Sequence, residues 1–134
     1  MGEKMNKYKW EHKKVNANYI EERPWGSFEN LLDCEYCKVK RIIVKPGQRL
    51  SYQYHYKRDE CWVIVQGEAT LTLDDKEWTF VEKEVINIPA ETKHRVQNNG
   101  KKDLIFIETQ TGTYFGEDDI VRLEDDYGRN KNEN

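Results

Sequence analysis

The feature that most constrains the fold is a series of short segments with alternating or β-branched residues, each ended by turn-forming residues. Such spacing predicts strands, because Gly, Pro, Asn and Asp interrupt β structure at turns. The predicted strands are 27–32, 36–45, 50–55, 60–66, 69–74, 77–81, 85–88, 93–98 and 103–111. Only the acidic segment 117–124 has a helical pattern, and that pattern is weak. Eight or nine short strands without a convincing helix predict an all-β sandwich or barrel.

The composition indicates one folded domain without a strong net electrostatic field. The chain has 134 residues, a usual size for a single domain. Its mean hydropathy of -1.01 is low. However, 4 Trp, 8 Tyr and 4 Phe are more aromatic residues than disordered chains contain, so we expect a thin core rich in aromatic and β-branched residues. The net charge of -3 predicts neither nucleic acid nor a membrane surface as a partner.

Cysteine use and hydropathy predict a cytoplasmic protein. Three cysteines cannot all pair with one another, which fits a reducing compartment. No apolar run approaches the roughly 20 residues that a membrane span needs, and the N-terminus lacks the apolar region of a signal peptide. Cys34 and Cys37 form one CxxC pair with no second pair and no helix N-terminus after it, so we expect two free thiols there, without a structural zinc site or thioredoxin-like redox chemistry.

Four donor side chains define a candidate metal site. Gln53 and His55 are two residues apart, so they share one face of a predicted strand. Glu60 begins the next strand and His94 lies on a later one. If these strands line one barrel, two imidazoles, a carboxylate and an amide oxygen converge, which predicts a bound divalent metal ion. Zinc is the first choice for these donors, and manganese, iron, cobalt or nickel also fit.

The spacing of these donors resembles the two sequence motifs of the cupins. The matching stretches are Gly47-x5-Gln53-x-His55-x4-Glu60-x6-Gly67 and Pro89-x-Glu91-x2-His94-x3-Asn98. Cupins usually have histidine at the position of Gln53 and glycine at the positions of Lys83 and Glu91. The loop after Pro89 must therefore turn without its customary glycine.

Glutamine at the first ligand position resembles the phosphomannose isomerase branch of the cupins, whose zinc site uses Gln, His, Glu and His. Residues 23–129 are similar, in order and with few gaps, to the type II mannose-6-phosphate isomerase domain. Segments that show this similarity include Arg23-Pro24-Trp25-Gly26, Val44-Lys45-Pro46-Gly47, Leu50-Ser51-Tyr52-Gln53, Ile88-Pro89-Ala90, Gly116-Glu117-Asp118-Asp119 and Asp125-Asp126-Tyr127-Gly128-Arg129. The resemblance implies a cupin double-stranded β-helix, which is a jelly-roll barrel. It also implies a metal-dependent isomerase of mannose 6-phosphate and fructose 6-phosphate, or of a similar phosphosugar.

Residues 1–22 are polar and weakly patterned, which predicts an N-terminal arm, and the resemblance makes 23–129 the cupin domain and leaves 130–134 as a polar tail. In the family, the domain often follows a mannose-1-phosphate guanylyltransferase domain in one bifunctional chain. Exposed barrel edges and the unassigned arm further predict a homodimer, because small cupins commonly pair their sheets.

Departures from the family pattern keep two other functions open. Tyr56, Lys57 and Cys61 stand where the family usually has further histidines. Tyr56 and Cys61 favour a non-catalytic cupin that binds a sugar, a sugar nucleotide or a partner. The two histidines and Glu60 alone also form the 2-His-1-carboxylate triad of Fe(II) oxygenases. Gln53 and the isomerase-like flanking segments count against that third function.

Isomerisation through an enediolate requires a Lewis acid, a base and cations that hold the phosphate. Lys38 and Lys40 share one face of a predicted strand. If that face lines the barrel, both ammonium groups approach the metal, and either lysine is a candidate base because burial lowers the pKa of a lysine. If it does not, they are ordinary exposed strand lysines.

Four further residues are candidates for substrate binding. Arg58 lies between two metal ligands and can reach the mouth of the barrel, and Gln110 shares a face of the last strand with Glu108. Trp25 either walls the pocket or belongs to the core. Arg95 follows His94 directly, so alternation turns it outward, whereas the resemblance favours a functional role.

Overall fold

The computed structural model describes residues 19–129 and confirms the all-β prediction. These residues form eleven strands and no helix. The strands are β1 Tyr19–Arg23, β2 Gly26–Asp33, β3 Lys38–Val44, β4 Tyr52–Tyr54, β5 Arg58–Gln66, β6 Ala69–Leu73, β7 Lys76–Phe80, β8 Val85–Ile88, β9 His94–Gln97, β10 Leu104–Gly112 and β11 Val121–Glu124. Within the described range, no helix is long and apolar enough to cross a membrane.

Two antiparallel sheets enclose the core. The first sheet has the strand order β1-β2-β3-β10-β5-β8 and the second has the order β11-β4-β9-β6-β7. Strand residues alternate between the interior and the outer face, as the period of two requires. In β5, for example, Trp62 and Ile64 are buried while Val63 and Val65 are exposed. The rings of Trp62 and Phe106 stack at 4.3 Å between centroids, which places a large aromatic contact next to the candidate metal ligands.

The predicted strands all appear, with shifted ends, but two observed strands were not predicted. Strand β1 falls mostly within the predicted arm, and it pairs with β2 along its whole length. The remainder of the arm, residues 1–18, lies outside the described residues, as does the tail 130–134. The weak helical pattern in 117–124 is wrong, since the segment ends in strand β11 against β4. Strand β11 has only four residues, and so short an alternation of side chains does not outweigh the weak helical pattern of the acidic segment.

Several turns adopt left-handed backbone conformations without glycine. Asp74 and Asp75 have φ of 45° and 73°, and they form the two-residue connection of the β6–β7 hairpin, where such geometry matches the twist of the strands. Lys83 and Glu91, which replace the customary cupin glycines, have φ of 78° and 69°. The chain therefore keeps the turn at these two positions and accepts the strain of a side chain there.

Candidate metal centre

Three of the four predicted metal ligands meet at one point inside the barrel. Glu60 lies in β5, His94 begins β9, and His55 follows β4 directly. One donor atom of each lies within 4.8 Å of the others, and all three residues are buried. The Nε2 atom of His55 is 3.2 Å from one Glu60 oxygen, and the Nε2 atom of His94 is 3.8 Å from the other. This group can bind one metal ion.

Gln53 lies beside this group on the same wall. It is paired directly with His94 in the register of β4 and β9. Side chains of directly opposed residues in an antiparallel pair lie on the same face. Gln53 lines the same cavity as the two histidines and Glu60. Its amide oxygen is thus available as a fourth donor.

Both imidazoles have their Nδ1 atoms fixed by backbone carbonyls. The Nδ1 atom of His55 lies 2.6 Å from the carbonyl oxygen of Asp119, and the Nδ1 atom of His94 lies 2.9 Å from that of Thr92. A carbonyl oxygen only accepts, so Nδ1 must hold the hydrogen in each ring. The lone pair of each Nε2 atom then faces Glu60. Metal-ligating histidines are usually oriented in this way.

The protonation states of the group also suit a cation. Burial lowers the pKa of His55 to about 4, so the ring is neutral near pH 7. Burial raises the pKa of Glu60, but His94, Arg58 and His55 outweigh burial and hold it well below its usual range. A neutral imidazole and an ionised carboxylate are the forms that bind metals.

Arg58 is the main competitor for these donors. Its Nε atom donates to Glu60 at 2.9 Å, and its Nη2 atom lies 3.1 Å from Nε2 of His55. The indole Nε1 of Trp62 donates to the other Glu60 oxygen at 2.9 Å. One lone pair cannot bind both a guanidinium and a metal ion. The donor set therefore fits a divalent ion, provided that Arg58 moves away from His55.

A second carboxyl group lies behind Glu60. Burial, together with the Glu60 carboxylate, raises the pKa of Glu108 well above its ordinary value. Glu108 lines the cavity. Gln110, in contrast, is completely buried and its Nε2 atom donates to Glu108 at 3.3 Å. Gln110 thus lies behind the cavity wall and does not line it.

The two predicted lysines both lie on the inner face of β3 and both contact Glu117. The Nζ atom of Lys40 is 2.6 Å from Glu117 and 4.2 Å from the centroid of the Phe28 ring, and Lys40 lines the cavity. The Nζ atom of Lys38 is 3.2 Å from Glu117 and 3.0 Å from the carbonyl oxygen of Phe115. Burial raises the pKa of Glu117, but Lys40 and Lys38 outweigh it and lower the pKa to about 2. Glu117 thus bridges the two ammonium groups, and its single negative charge offsets one of their two positive charges.

The remaining two candidates occupy different places. Trp25 lines the cavity, and its buried Nε1 atom has no hydrogen-bond partner among the described residues. Arg95 is buried on the other face of β9, away from the cavity. Its Nε atom donates to the Leu50 carbonyl at 2.8 Å, and its Nη1 atom donates to Glu124 at 3.1 Å. Arg95 therefore joins β9 to β11, as strand alternation predicts for the residue after His94.

Sequence reasoning missed the role of Asp119. Besides its carbonyl contact with His55, its two carboxylate oxygens each accept a backbone hydrogen bond at 3.0 Å, one from Tyr56 and one from Lys57. Asp119 thus holds the candidate ligand His55 and the two residues that follow it. The only sequence signal for it was its place within the family-like segment 116–119.

Comparison with known proteins identifies the family. The family model described as Mannose-6-phosphate isomerase C-terminal matches residues 7–125. The chain belongs to this family. The alginate biosynthesis protein AlgA of Pseudomonas aeruginosa is 50% identical over 107 residues, which are 80% of this chain and 22% of AlgA. The chain thus spans about a fifth of that relative and corresponds to its type II isomerase cupin domain.

Solved structures confirm the cupin fold. The capsular polysaccharide assembling protein CapF of Staphylococcus aureus superimposes with a TM-score of 0.70 at 24% identity, covering 79% of this chain and 34% of CapF. The cupin domain of Cnp3 from Schizosaccharomyces pombe has a TM-score of 0.62 at 16% identity, covering 64% of each chain. At these identities, the similarity concerns the fold alone. The type II mannose-6-phosphate isomerase family thus supplies the closer functional framework.

Proposed function

We propose that the protein is a metal-dependent isomerase that interconverts mannose 6-phosphate and fructose 6-phosphate. The observation that carries the proposal is the convergence of His55, Glu60 and His94, with both Nε2 lone pairs facing the carboxylate. The family to which the chain belongs is named for this reaction, which supports the choice of substrate. Zinc is the proposed ion, with the amide oxygen of Gln53 as the fourth ligand.

In the proposed reaction, the metal ion and the side chains of the cavity wall have different roles. The ion would supply Lewis acidity for the negative charge that develops on the sugar oxygens of the enediolate. Lys40, which lines the cavity, is the proposed group that moves the proton between the two reacting carbons. Lys38, which lies farther back, would hold Glu117 and so position Lys40.

Two groups are proposed to bind the sugar phosphate. Arg58 would leave His55 when the ion binds, and its guanidinium would then be free to hold the phosphate through paired hydrogen bonds. The Nε1 atom of Trp25 would donate to a sugar hydroxyl, since it has no partner among the described residues. Gln110 would support Glu108 from behind the wall, and Arg95 would hold β11 against β9.

A non-catalytic sugar-binding cupin is the second candidate function. The contact between Arg58 and Nε2 of His55 favours it, because this contact occupies a lone pair that the metal needs. Tyr56, Lys57 and Cys61, at positions where the family usually has histidines, favour it as well. In this function the cavity would bind the phosphosugar without turnover.

One assay separates the two functions. Protein loaded with zinc or manganese is given mannose 6-phosphate, and fructose 6-phosphate is detected through a coupled reaction. The proposed function predicts turnover that is abolished by Glu60→Gln and retained by Glu77→Gln, a matched change on the exposed strand β7. Saturable binding of mannose 6-phosphate without turnover would contradict the isomerase function and support the sugar-binding cupin. Oxygen consumption by the iron-loaded protein would indicate an oxygenase instead.

Two further properties remain predictions. The exposed side chains of Tyr19 and Ile20 on the edge strand β1 are compatible with the proposed homodimer.

The name of AlgA links that relative to alginate synthesis. We therefore propose that the isomerase serves the supply of sugar phosphates for a polysaccharide.

A further inference from the structure

Two cysteine thiols face each other at the tip of the β2–β3 hairpin. The Sγ atoms of Cys34 and Cys37 are 3.8 Å apart. The hairpin register ends with the pair Asp33 and Lys38, so the two cysteines occupy the first and last positions of the four-residue connection. The backbone N–H of Cys34 donates to the carbonyl of Cys37 at 3.0 Å, which holds these two positions together.

The pair is both accessible and separate from the metal centre. Each thiol is partly exposed, so a small reagent can reach it. Neither cysteine belongs to the group of potential metal ligands formed by described residues. The third cysteine, Cys61, lies on β5 opposite Thr109 and Asn87 and is therefore on a different part of the first sheet.

The two thiols differ in acidity. Burial opposes ionisation of Cys34, but backbone hydrogen bonds with Tyr36 and Cys37 outweigh burial and lower the pKa of its thiol. Burial raises the pKa of the Cys37 thiol, and the hydrogen bond with Cys34 raises it further. Since the thiolate is the nucleophile, Cys34 is the attacking sulfur and Cys37 the resolving one.

We propose that Cys34 and Cys37 form a thiol–disulfide exchange site whose co-reactant is a low-molecular-weight disulfide such as oxidised glutathione. The Cys34 thiolate attacks one sulfur of the disulfide, a Cys34–glutathione bond forms, and one glutathione thiolate leaves and takes up a proton. The Cys37 sulfur, after losing its proton, then attacks Cys34 and expels the second glutathione. The protein loses two electrons and two protons, and the external disulfide is reduced to two thiols.

The geometry permits closure of this ring with little backbone movement. A disulfide requires an S–S distance of about 2.05 Å and Cα atoms within about 7 Å. The ends of a four-residue turn are within about 7 Å of each other, so side-chain rotation is the main adjustment from 3.8 Å. Cys61 has no such partner, because the residues opposite it in the register of β5 are Thr109 and Asn87 and not one of the other cysteines.

The experiment uses the full chain, reduced and then titrated with oxidised glutathione, quenched in acid and measured by intact mass and peptide mapping. The proposal predicts loss of the mass of two hydrogen atoms, a Cys34–Cys37 cross-link, and full reversal by dithiothreitol. Cys61→Ser should behave like the unsubstituted protein. Cys34→Ser and Cys37→Ser should each stop at a glutathione adduct on the remaining thiol, and Cys37→Ser should form its adduct faster.

Three results would overturn the proposal. The first is a glutathione adduct on the unsubstituted chain that never resolves to the internal cross-link. The second is a cross-link that includes Cys61 or joins two chains. The third is the absence of any reaction under conditions that oxidise a reference dithiol peptide. None of these results bears on isomerase activity, so the two proposals fail independently.

Discussion

The Nδ1 atom of His55 lies 2.6 Å from the carbonyl oxygen of Asp119, a residue 64 positions later in the chain. This contact fixes the ring so that Nε2 faces Glu60. The side chain of Asp119 strengthens the same junction by accepting hydrogen bonds from the backbone of Tyr56 and Lys57. The segment before β11 therefore orients a residue of the candidate metal centre.

Asp119→Ala should weaken zinc binding by about 10- to 100-fold, which is the usual cost of losing an outer-shell support. Without the carboxylate, the backbone N–H groups of residues 56 and 57 lose two hydrogen bonds, so the segment whose Asp119 carbonyl orients His55 is held less firmly against the chain after His55. Zinc affinity measured by competition with a chelating dye tests this expectation. Asp118→Ala, at the exposed neighbouring position, is the control and should leave the affinity unchanged. Equal affinities for both variants would remove Asp119 from this role.

Lys40→Met should reduce the turnover of mannose 6-phosphate by about 10²- to 10⁴-fold, the contribution of a positioned proton-transfer group. The substitution keeps the length of the side chain and its packing against Phe28, but removes the charge near Glu117. Steady-state kinetics should show the loss in kcat, with a smaller change in KM. Arg41→Met alters the next residue of β3, on the exposed face, and should retain activity. A Lys40→Met enzyme with undiminished kcat would exclude Lys40 as the base.

Asp125→Asn should make the free energy of unfolding depend less on pH in the acid range. Burial raises the pKa of Asp125, but hydrogen bonds from the side chain and backbone of Arg129 outweigh it and lower the pKa below 3.8. A carboxyl group whose folded pKa is lowered stabilises the protein above its unfolded pKa, and this stability is lost as pH falls through the folded pKa. Urea unfolding at neutral pH should show that Asp125→Asn is destabilised by about 1–3 kcal/mol.

Below pH 3.8 the difference between this variant and the unsubstituted protein should shrink, because Asp125 itself becomes protonated. Asp126→Asn is a suitable control, since Asp126 is exposed and pairs with Arg49 at the surface. Exposed pairs contribute about 0–1 kcal/mol, so a much smaller effect is expected. A constant difference across the acid range would contradict the assigned role of Asp125.

Glu91→Gly should stabilise the protein slightly, by up to about 1.5 kcal/mol. A non-glycine residue in the left-handed region costs about 1–2 kcal/mol, and the greater chain entropy of glycine offsets about 0.5–1 kcal/mol of the gain. Glu91 has φ of 69° and an exposed side chain, while its backbone N–H donates to the His55 carbonyl at 2.7 Å. Glu68→Gly, at an exposed position without positive φ, should instead be destabilising. Thermal unfolding of both variants tests the sign.

Much of the fold followed from the sequence because strand periodicity and turn residues are local signals. The β6–β7 hairpin, for example, is set by Asp74 and Asp75 between two short alternating segments. Strands β1 and β11 were missed because each is short and lies in a charged segment. Their pairing depends on distant partners, β2 and β4, which local patterns do not reveal.

The candidate site shows the same division. The spacing of Gln53, His55, Glu60 and His94 was visible, and the structure brings the two histidines and Glu60 within contact of one another. The contacts of Arg58 with His55 and of Glu117 with Lys40 were not visible, since both depend on side-chain reach. Strand alternation alone placed Arg95 away from the cavity, but it could not tell that Gln110 lies behind Glu108.

The most direct test of the central claim is a zinc titration of the metal-free protein by calorimetry, with X-ray absorption spectra of the end point. We expect one ion per chain, bound through two imidazoles and oxygen donors. Glu60→Gln should weaken this binding by at least about 100-fold, whereas Glu77→Gln should leave it intact. Failure to bind zinc or another divalent ion, or equal binding by Glu60→Gln, would contradict the account.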